Sequence, residues 1–171
     1  DVERRHLDVL SHVKAAVTVP VAVKLSPYFS ATGDMARRLD DAGADGLVLF
    51  NRFYQPDIDI ETMTLRGAVN YSHPEDLRLP LRWVAILRDV VRCDLSVSTG
   101  VHDAEGAIKA LLAGANTVQI CSILYQQGYE AAGRILAGLT EWMERKRFAS
   151  VDEFRGRLRA GQGRDPRGFE R

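Results

Sequence analysis

Val97-Ser98-Thr99-Gly100-Val101-His102-Asp103 is followed about twenty residues later by Val118-Gln119-Ile120-Cys121-Ser122. Each stretch is a short apolar run that closes in small residues, and each leads into a helical pattern. Consecutive strand–helix units of a parallel barrel build a phosphate cradle in this way, from the loops after neighbouring strands. Gly100 lets backbone N–H groups come close to an anion, and a helix beginning near Asp103 adds its positive end. Ser98, Thr99, Gly100 and Val101, with Cys121 and Ser122, are therefore candidate contacts for a phosphorylated ligand. Asp103 argues the other way, because as an N-cap it fills the same helix terminus. The plainer alternative is a tight strand-to-helix turn without a ligand.

The flanking sequence repeats the pattern. Val19–Leu25 is a β-branched run stopped by Ser26-Pro27, and Gly46–Phe50 is another that ends at Asn51. With Leu95–Ser98 and Thr117–Cys121 they make four candidate strands, in continuous apolar runs that suit burial on both faces. Helical spacing occupies Val2–Val17, Thr32–Ala42, Pro74–Val91, Asp103–Ala113 and Tyr129–Lys146, with a shorter helix at Val151–Arg159. Thr32 is a candidate cap for the second of these, with Gly43 at its stop. Tyr54–Ser72 reads as a loop carrying a short hairpin, and excursions of that length tend to be functional. Ala42-Gly43-Ala44-Asp45 before one strand is echoed by Ala113-Gly114-Ala115-Asn116 before another.

A helix-then-strand repeat implies a parallel sheet with right-handed crossovers. The expected fold is α/β, of the (β/α)8 TIM-barrel type. About four units are present, half of a barrel that typically needs ~250 residues. A four-stranded doubly wound sheet is the structural alternative. Gly161–Arg171 is rich in Gly and Arg and is expected to be a disordered tail. Because residue 1 is Asp, the chain is expected to begin partway through a longer polypeptide.

Composition sets further bounds. The chain has 171 residues, 46% of them hydrophobic, with 23 basic and 23 acidic side chains. Balanced charge gives no reason to expect nucleic acid or a membrane surface as partner. No apolar run approaches the ~20 residues of a membrane span. Cys93 and Cys121 make neither a disulfide framework nor a metal spacing, which suits a reducing, cytoplasmic setting. His6, His12 and His73 are irregularly spaced, so no metal site is expected.

Lys24 lies inside an otherwise apolar strand, where lysine is rare unless paired. At the C-terminal end of a barrel strand it points into the catalytic mouth; the alternative is a side chain that reaches out to solvent. Asn51 ends the next strand, and its amide both donates and accepts, which suits a planar heterocycle. Its bland role is to turn the chain. Cys121 is better read as packing than as a nucleophile, and His102 as a polar turn residue rather than a base. Trp83 and Trp142 read as core.

Pro20-Val21-Ala22-Val23-Lys24-Leu25-Ser26-Pro27, Phe50-Asn51, Thr99-Gly100-Val101 and Cys121-Ser122, in that order, resemble the dihydroorotate dehydrogenase family. Gly46–Asp59 is similar to an uncharacterised bacterial branch of it. The resemblance covers about residues 1–160 and corresponds to the C-terminal half of the family's barrel. It implies FMN as cofactor and a CH–CH bond of a dihydroorotate-like dihydropyrimidine as substrate. Lys24 matches the lysine at the flavin ring, and Asn51 matches the asparagine facing the substrate. Thr99, Gly100, Val101, Cys121 and Ser122 match the phosphate contacts. A lysine cation near the ring favours hydride acceptance.

Two departures stand out. Thr99 replaces the first of the two glycines usual in the phosphate turn. The family's catalytic base, a Cys or Ser from the earlier half, has no counterpart here, so little turnover is expected of the chain alone. The expected partners are a small-molecule substrate and either a second copy or the missing barrel half. Two other readings stay open: a Schiff-base aldolase-like barrel using Lys24, and a non-catalytic half-barrel that binds phosphate or a partner.

Overall fold

The computed structural model describes residues 2–66 and 70–161. In chain order the elements are α1 (Val2–Ala16), β1 (Ala22–Leu25), α2 (Thr32–Asp41), β2 (Gly46–Leu49), the hairpin strands β3 (Asp57–Asp59) and β4 (Thr64–Arg66), α3 (Arg78–Leu87), β5 (Asp94–Ser98), α4 (Ala104–Ala113), β6 (Thr117–Gln119), α5 (Ser122–Gln127) and α6 (Glu130–Lys146). Single 3-10 turns lie at Pro74–Leu77 and Val151–Glu153. The hairpin predicted within Tyr54–Ser72 is β3–β4; residues 67–69 of that stretch lie outside the described residues. So does 162–171, the bulk of the predicted tail.

The main sheet runs β1-β2-β5-β6, with every neighbouring pair parallel. Spatial order follows chain order without reversal. A doubly wound sheet has a switch point where the order reverses, so this arrangement is that of a barrel segment. Side chains alternate between faces, and paired residues share one. Leu25, Leu49 and Val97 form one row, and Leu47 pairs with Leu95 beside them. These five side chains are fully enclosed, in one core with Leu10, Met35, Leu39, Val84 and Leu87. Each such aliphatic side chain contributes about 1.5–3 kcal/mol by leaving water.

The opposite face differs in chemistry. Lys24, Val48, Ser96 and Thr117 lie in one row, with Ser98 paired to Gln119 above it. Burial on both faces, expected of all four strands, is complete only in β2 and nearly so in β5. In β1 and β6 the residues alternate, with Ala22, Lys24, Thr117 and Gln119 exposed. These two are the edge strands, and among the described residues each has a neighbour on one side only.

The echo in the sequence is a repeated structural device. In the first copy Asp45 N–H donates to the Val21 carbonyl at 2.9 Å, and Asp45 Oδ2 accepts from Val21 N–H at 2.6 Å. In the second copy Asn116 N–H donates to the Leu95 carbonyl at 2.7 Å, and Asn116 Oδ1 accepts from Leu95 N–H at 3.1 Å. A basic residue at the C-terminal end of the helix before the gripped strand, in its last turn or just past it, joins each pair: Lys14 Nζ at 2.7 Å from Asp45, and an Arg88 guanidinium nitrogen at 3.1 Å from Asn116. Each Asx residue thus locks the start of its strand to the start of the strand before it.

Some helix ends differ from expectation. Ala31, not Thr32, is the N-cap of α2, and the Thr32 hydroxyl turns back to the Phe29 carbonyl at 3.4 Å. Pro74–Val91 is a 3-10 turn followed by a shorter α3; Pro80 sits in its first turn, where a missing N–H costs nothing. No helix forms over Val151–Arg159 beyond one 3-10 turn. There the amides of Gly156 and Leu158 donate, each at 2.9 Å, to the Leu111 and Leu112 carbonyls at the end of α4, and the Leu111 carbonyl also accepts from the Gly114 N–H at 3.0 Å. Phe154 seals this clasp against Trp142 and Phe148. Trp83 and Trp142 are half-buried.

Candidate functional site

Parallel strands present all their C-terminal ends on one rim. That rim opens into a cavity of about 310 Å³. Lys24, Asn51, Ser98, Thr99, Gly100, Val101, Cys121 and Ser122, the eight candidates singled out in the sequence, all line it. Lys24 comes from β1 and is exposed. Asn51 is held by backbone beyond the end of β2: its N–H donates to the Leu25 carbonyl at 2.7 Å, and Phe50 N–H donates to the Ser98 carbonyl at 3.2 Å. Its amide side chain is left exposed at the mouth.

The turn after β5 is made by two successive residues at positive φ, Thr99 at 89° and Gly100 at 80°. A Cβ on Gly100 would lie 2.2 Å from the Leu77 backbone nitrogen, so the 3-10 turn before α3 can pack there only against glycine. Thr99 holds a conformation that glycine adopts freely, at a strain of roughly 1–3 kcal/mol for a residue with a side chain. Its hydroxyl lies 3.4 Å from the Phe50 carbonyl. The substitution noted in the sequence therefore keeps the glycine-type backbone.

The backbone N–H groups of Gly100, Val101, Cys121 and Ser122 donate to no acceptor among the described residues. Gly100 and Val101 are themselves buried. Buried backbone donors are almost always paired, so such a set is chemically suited to an anion, and phosphate oxygens fit it. The start of α4 is not part of this set, because Asp103 caps it by accepting from Gly106 N–H at 2.8 Å.

Sequence reasoning missed the residues that connect the two turns. Ser72, only 6% exposed, donates its N–H and its hydroxyl to Ser122 Oγ, each at 2.9 Å. His102 Nε2 lies 2.9 Å from Ser72 Oγ. Tyr71 and Tyr125 stack at the rim with ring centroids 6.0 Å apart. Ser72 sits fifty positions from Ser122 at the end of an irregular excursion, and no periodicity announces such a contact. The only hint is its place just before Pro74 and the next helical run. Arg52 braces the same loop, through the Asn70 carbonyl and, at 3.7 Å, Asp76.

Neither cysteine is disulfide-bonded. Cys121 faces the cavity, exposed. Cys93 is buried just before β5, at the strand end away from the cavity; burial first, and negative Asp40 second, push its thiol up to about 12. It is inert packing.

The family model of dihydroorotate dehydrogenase matches residues 3–143. The chain belongs to the dihydroorotate dehydrogenase family. This family's fold is a TIM barrel, and the four parallel strands are a part of one. Among the family's curated members, the dihydroorotate dehydrogenase B (NAD(+)) catalytic subunit of Methanothermobacter thermautotrophicus is 32% identical over 153 residues, covering 86% of this chain and 50% of that protein. The corresponding subunit of Cutibacterium acnes is 30% identical over 155 residues, 89% of this chain and 50% of its own. Chloroplastic dihydropyrimidine dehydrogenase (NADP(+)) of Arabidopsis thaliana is 26% identical over 163 residues, 87% of this chain and 38% of that protein. The chain spans about half the length of the curated dihydroorotate dehydrogenases it matches. No helix among the described residues is long and apolar enough to cross a membrane.

Proposed function

We propose that this chain carries the FMN-holding part of an oxidoreductase that acts on a CH–CH bond of a dihydroorotate-like dihydropyrimidine. The observation that carries the reading is the meeting of four backbone N–H groups, without an acceptor among the described residues, with Lys24 and Asn51 around one cavity. The N–H groups of Gly100, Val101, Cys121 and Ser122 hold the phosphate. Lys24 presents a cation at the ring, and Asn51 offers a donor and an acceptor to a planar substrate. When bound, FMN supplies the acceptor for the hydride that leaves the substrate carbon. Cys121 belongs to the phosphate end, so the proton on the neighbouring carbon is removed by a base from the other part of the enzyme.

The open edges support a partner reading. β1 and β6 each lack a neighbour on one side among the described residues. Beside β1, a groove of about 510 Å³ is lined by Val9 and Val13 of α1 and by Val21 and Val23. Val9 is 56% exposed, and unpaired strand edges with apolar flanks favour association. The edges are covered by the complementary barrel half, or by a second copy when the chain is alone.

Titration of the purified chain with FMN and with riboflavin, read by flavin fluorescence, tests the cofactor reading. Charge-assisted hydrogen bonds to the phosphate predict FMN binding roughly tenfold or more tighter than riboflavin, because each contributes about 1.5–3 kcal/mol. Dihydroorotate oxidation by the chain alone is expected to be negligible. Equal affinities for the two flavins, or none, would overturn the reading. So would a Lys24 adduct trapped by borohydride with a carbonyl substrate in a colourless protein.

A further inference from the structure

We infer that Ser72 and His102 are positioning residues that turn the Ser122 hydroxyl into a donor aimed at the cavity, and so set the site's preference for a phosphorylated ligand. The inference rests on the phosphate reading of the cavity and adds the residues that make it selective.

The argument is a count of protons. A serine hydroxyl has one proton and two lone pairs. Ser122 Oγ receives the Ser72 N–H, which can only donate, and the Ser72 hydroxyl, both at 2.9 Å. Its two acceptor positions are then filled by one residue. Its own proton has no acceptor among the described residues, and Ser122 lines the cavity. A hydroxyl in that state can only donate to what enters, and a phosphate oxygen only accepts.

His102 fixes the direction of the chain. Ser72 Oγ has given its single proton to Ser122, so at 2.9 Å it must accept from His102 Nε2–H. A ring that accepted at Nε2 would draw the Ser72 proton to itself. Ser122 would then donate back to Ser72, and the cavity would lose its hydroxyl donor. The relay therefore runs His102 to Ser72 to Ser122 to ligand, and three separate segments are tied by it. Ser72 lies before α3, His102 after β5 and Ser122 after β6. Its burial keeps water from taking either role.

The test is binding of FMN and riboflavin to the full chain, with folding checked by circular dichroism. Ser122→Ala, Ser72→Ala and His102→Phe are each expected to weaken FMN about tenfold and to leave riboflavin within twofold. His102→Gln, whose amide can place an N–H near the Nε2 position, is expected to recover most of the loss. Wild-type chain that does not prefer FMN over riboflavin defeats the phosphate reading itself. Wild-type preference that survives all three substitutions, or a loss shared equally by both flavins, overturns only the relay. Ser122→Ala reports only on the hydroxyl itself, so Ser72→Ala, which removes a single oxygen, decides the matter if His102→Phe fails to fold, and His102→Phe with its Gln counterpart decides it if Ser72→Ala does. Failure of His102→Gln to recover binding where His102→Phe loses it would also count against the stated direction.

Discussion

The same turn occurs twice in this chain, in two different settings. After α2 the turn Ala42-Gly43-Ala44-Asp45 delivers β2, and after α4 the turn Ala113-Gly114-Ala115-Asn116 delivers β6. Both glycines hold positive φ, 89° at Gly43 and 120° at Gly114. The first turn is at the surface and grips edge strand β1 through a charged Asp45. The second is covered by Arg88 and grips the interior strand β5 through a neutral Asn116. One sequence device thus serves an exposed seam with an ion pair and a covered seam with an amide. Burial decides the difference, because an unpaired charge is costly away from water and an amide can satisfy two donors without one.

Alanine at each glycine separates backbone strain from packing. A Cβ on Gly43 meets nothing within 4 Å, so Gly43→Ala carries only the left-handed conformation, about 1–2 kcal/mol. A Cβ on Gly114 would lie 2.8 Å from Arg88 Cγ and 3.0 Å from its Cβ. The Arg88 side chain must then move, which also disturbs its bond to Asn116. Gly114→Ala is expected to cost about 2–4 kcal/mol by denaturant unfolding, strain and overpacking together. Equal losses at the two sites would show that the covering Arg88 yields freely, and the contrast between the seams would disappear.

Removing the gripping side chain comes next in size. Asn116→Ala leaves the Leu95 N–H and the Arg88 guanidinium without their shared acceptor. The Leu95 residue is fully enclosed, so the lost partner costs about 1–3 kcal/mol. Asp45→Ala removes the corresponding acceptor from Val21, on the half-exposed edge, where water can take its place. Its loss is expected to be the smaller of the two, compared by unfolding midpoints under one buffer. A larger loss at Asp45 would mean that the ion pair with Lys14, not burial of the strand, governs the seam.

How far sequence reasoning reached follows from the range of each interaction. The Gly–Asx echo was legible because its bonds join adjacent elements and recur with the same residues. The strand-end candidates were legible because parallel strands put Lys24, Asn51, the 99–101 turn and Cys121-Ser122 on one rim once the helix–strand repeat was recognised. Ser72 was not, since its partner Ser122 is distant in sequence and its own segment has no period. The exposed alternation of β1 and β6 was also missed, because an apolar run does not reveal whether its strand lies at the centre or the edge. At Val151–Arg159 a helical pattern lost to hydrogen bonds with the last carbonyls of α4, a competition between elements that local spacing cannot show.

Acid sharpens the comparison with the smallest expected effect, since only one of the two gripping residues titrates. The hydrogen bond from Lys14 first, and the Val21 amide second, hold the Asp45 carboxyl below its usual value of 3.8. A carboxylate depressed in the folded state binds its proton more readily when unfolded. Its contribution is therefore fully present above about pH 4 and fades as pH falls below that, through the lowered folded value. Asn116 has no counterpart, so the first seam loosens in acid while the second does not. Denaturant midpoints measured from pH 6 to pH 3 are expected to fall more steeply for the wild type than for Asp45→Asn, with the two curves converging at the acid end. Buried Asp40 and the other carboxylates titrate in both proteins and cancel in that difference. Curves that stay parallel to pH 3 would show that the Lys14–Asp45 contact adds nothing, leaving the exposed seam held by backbone alone.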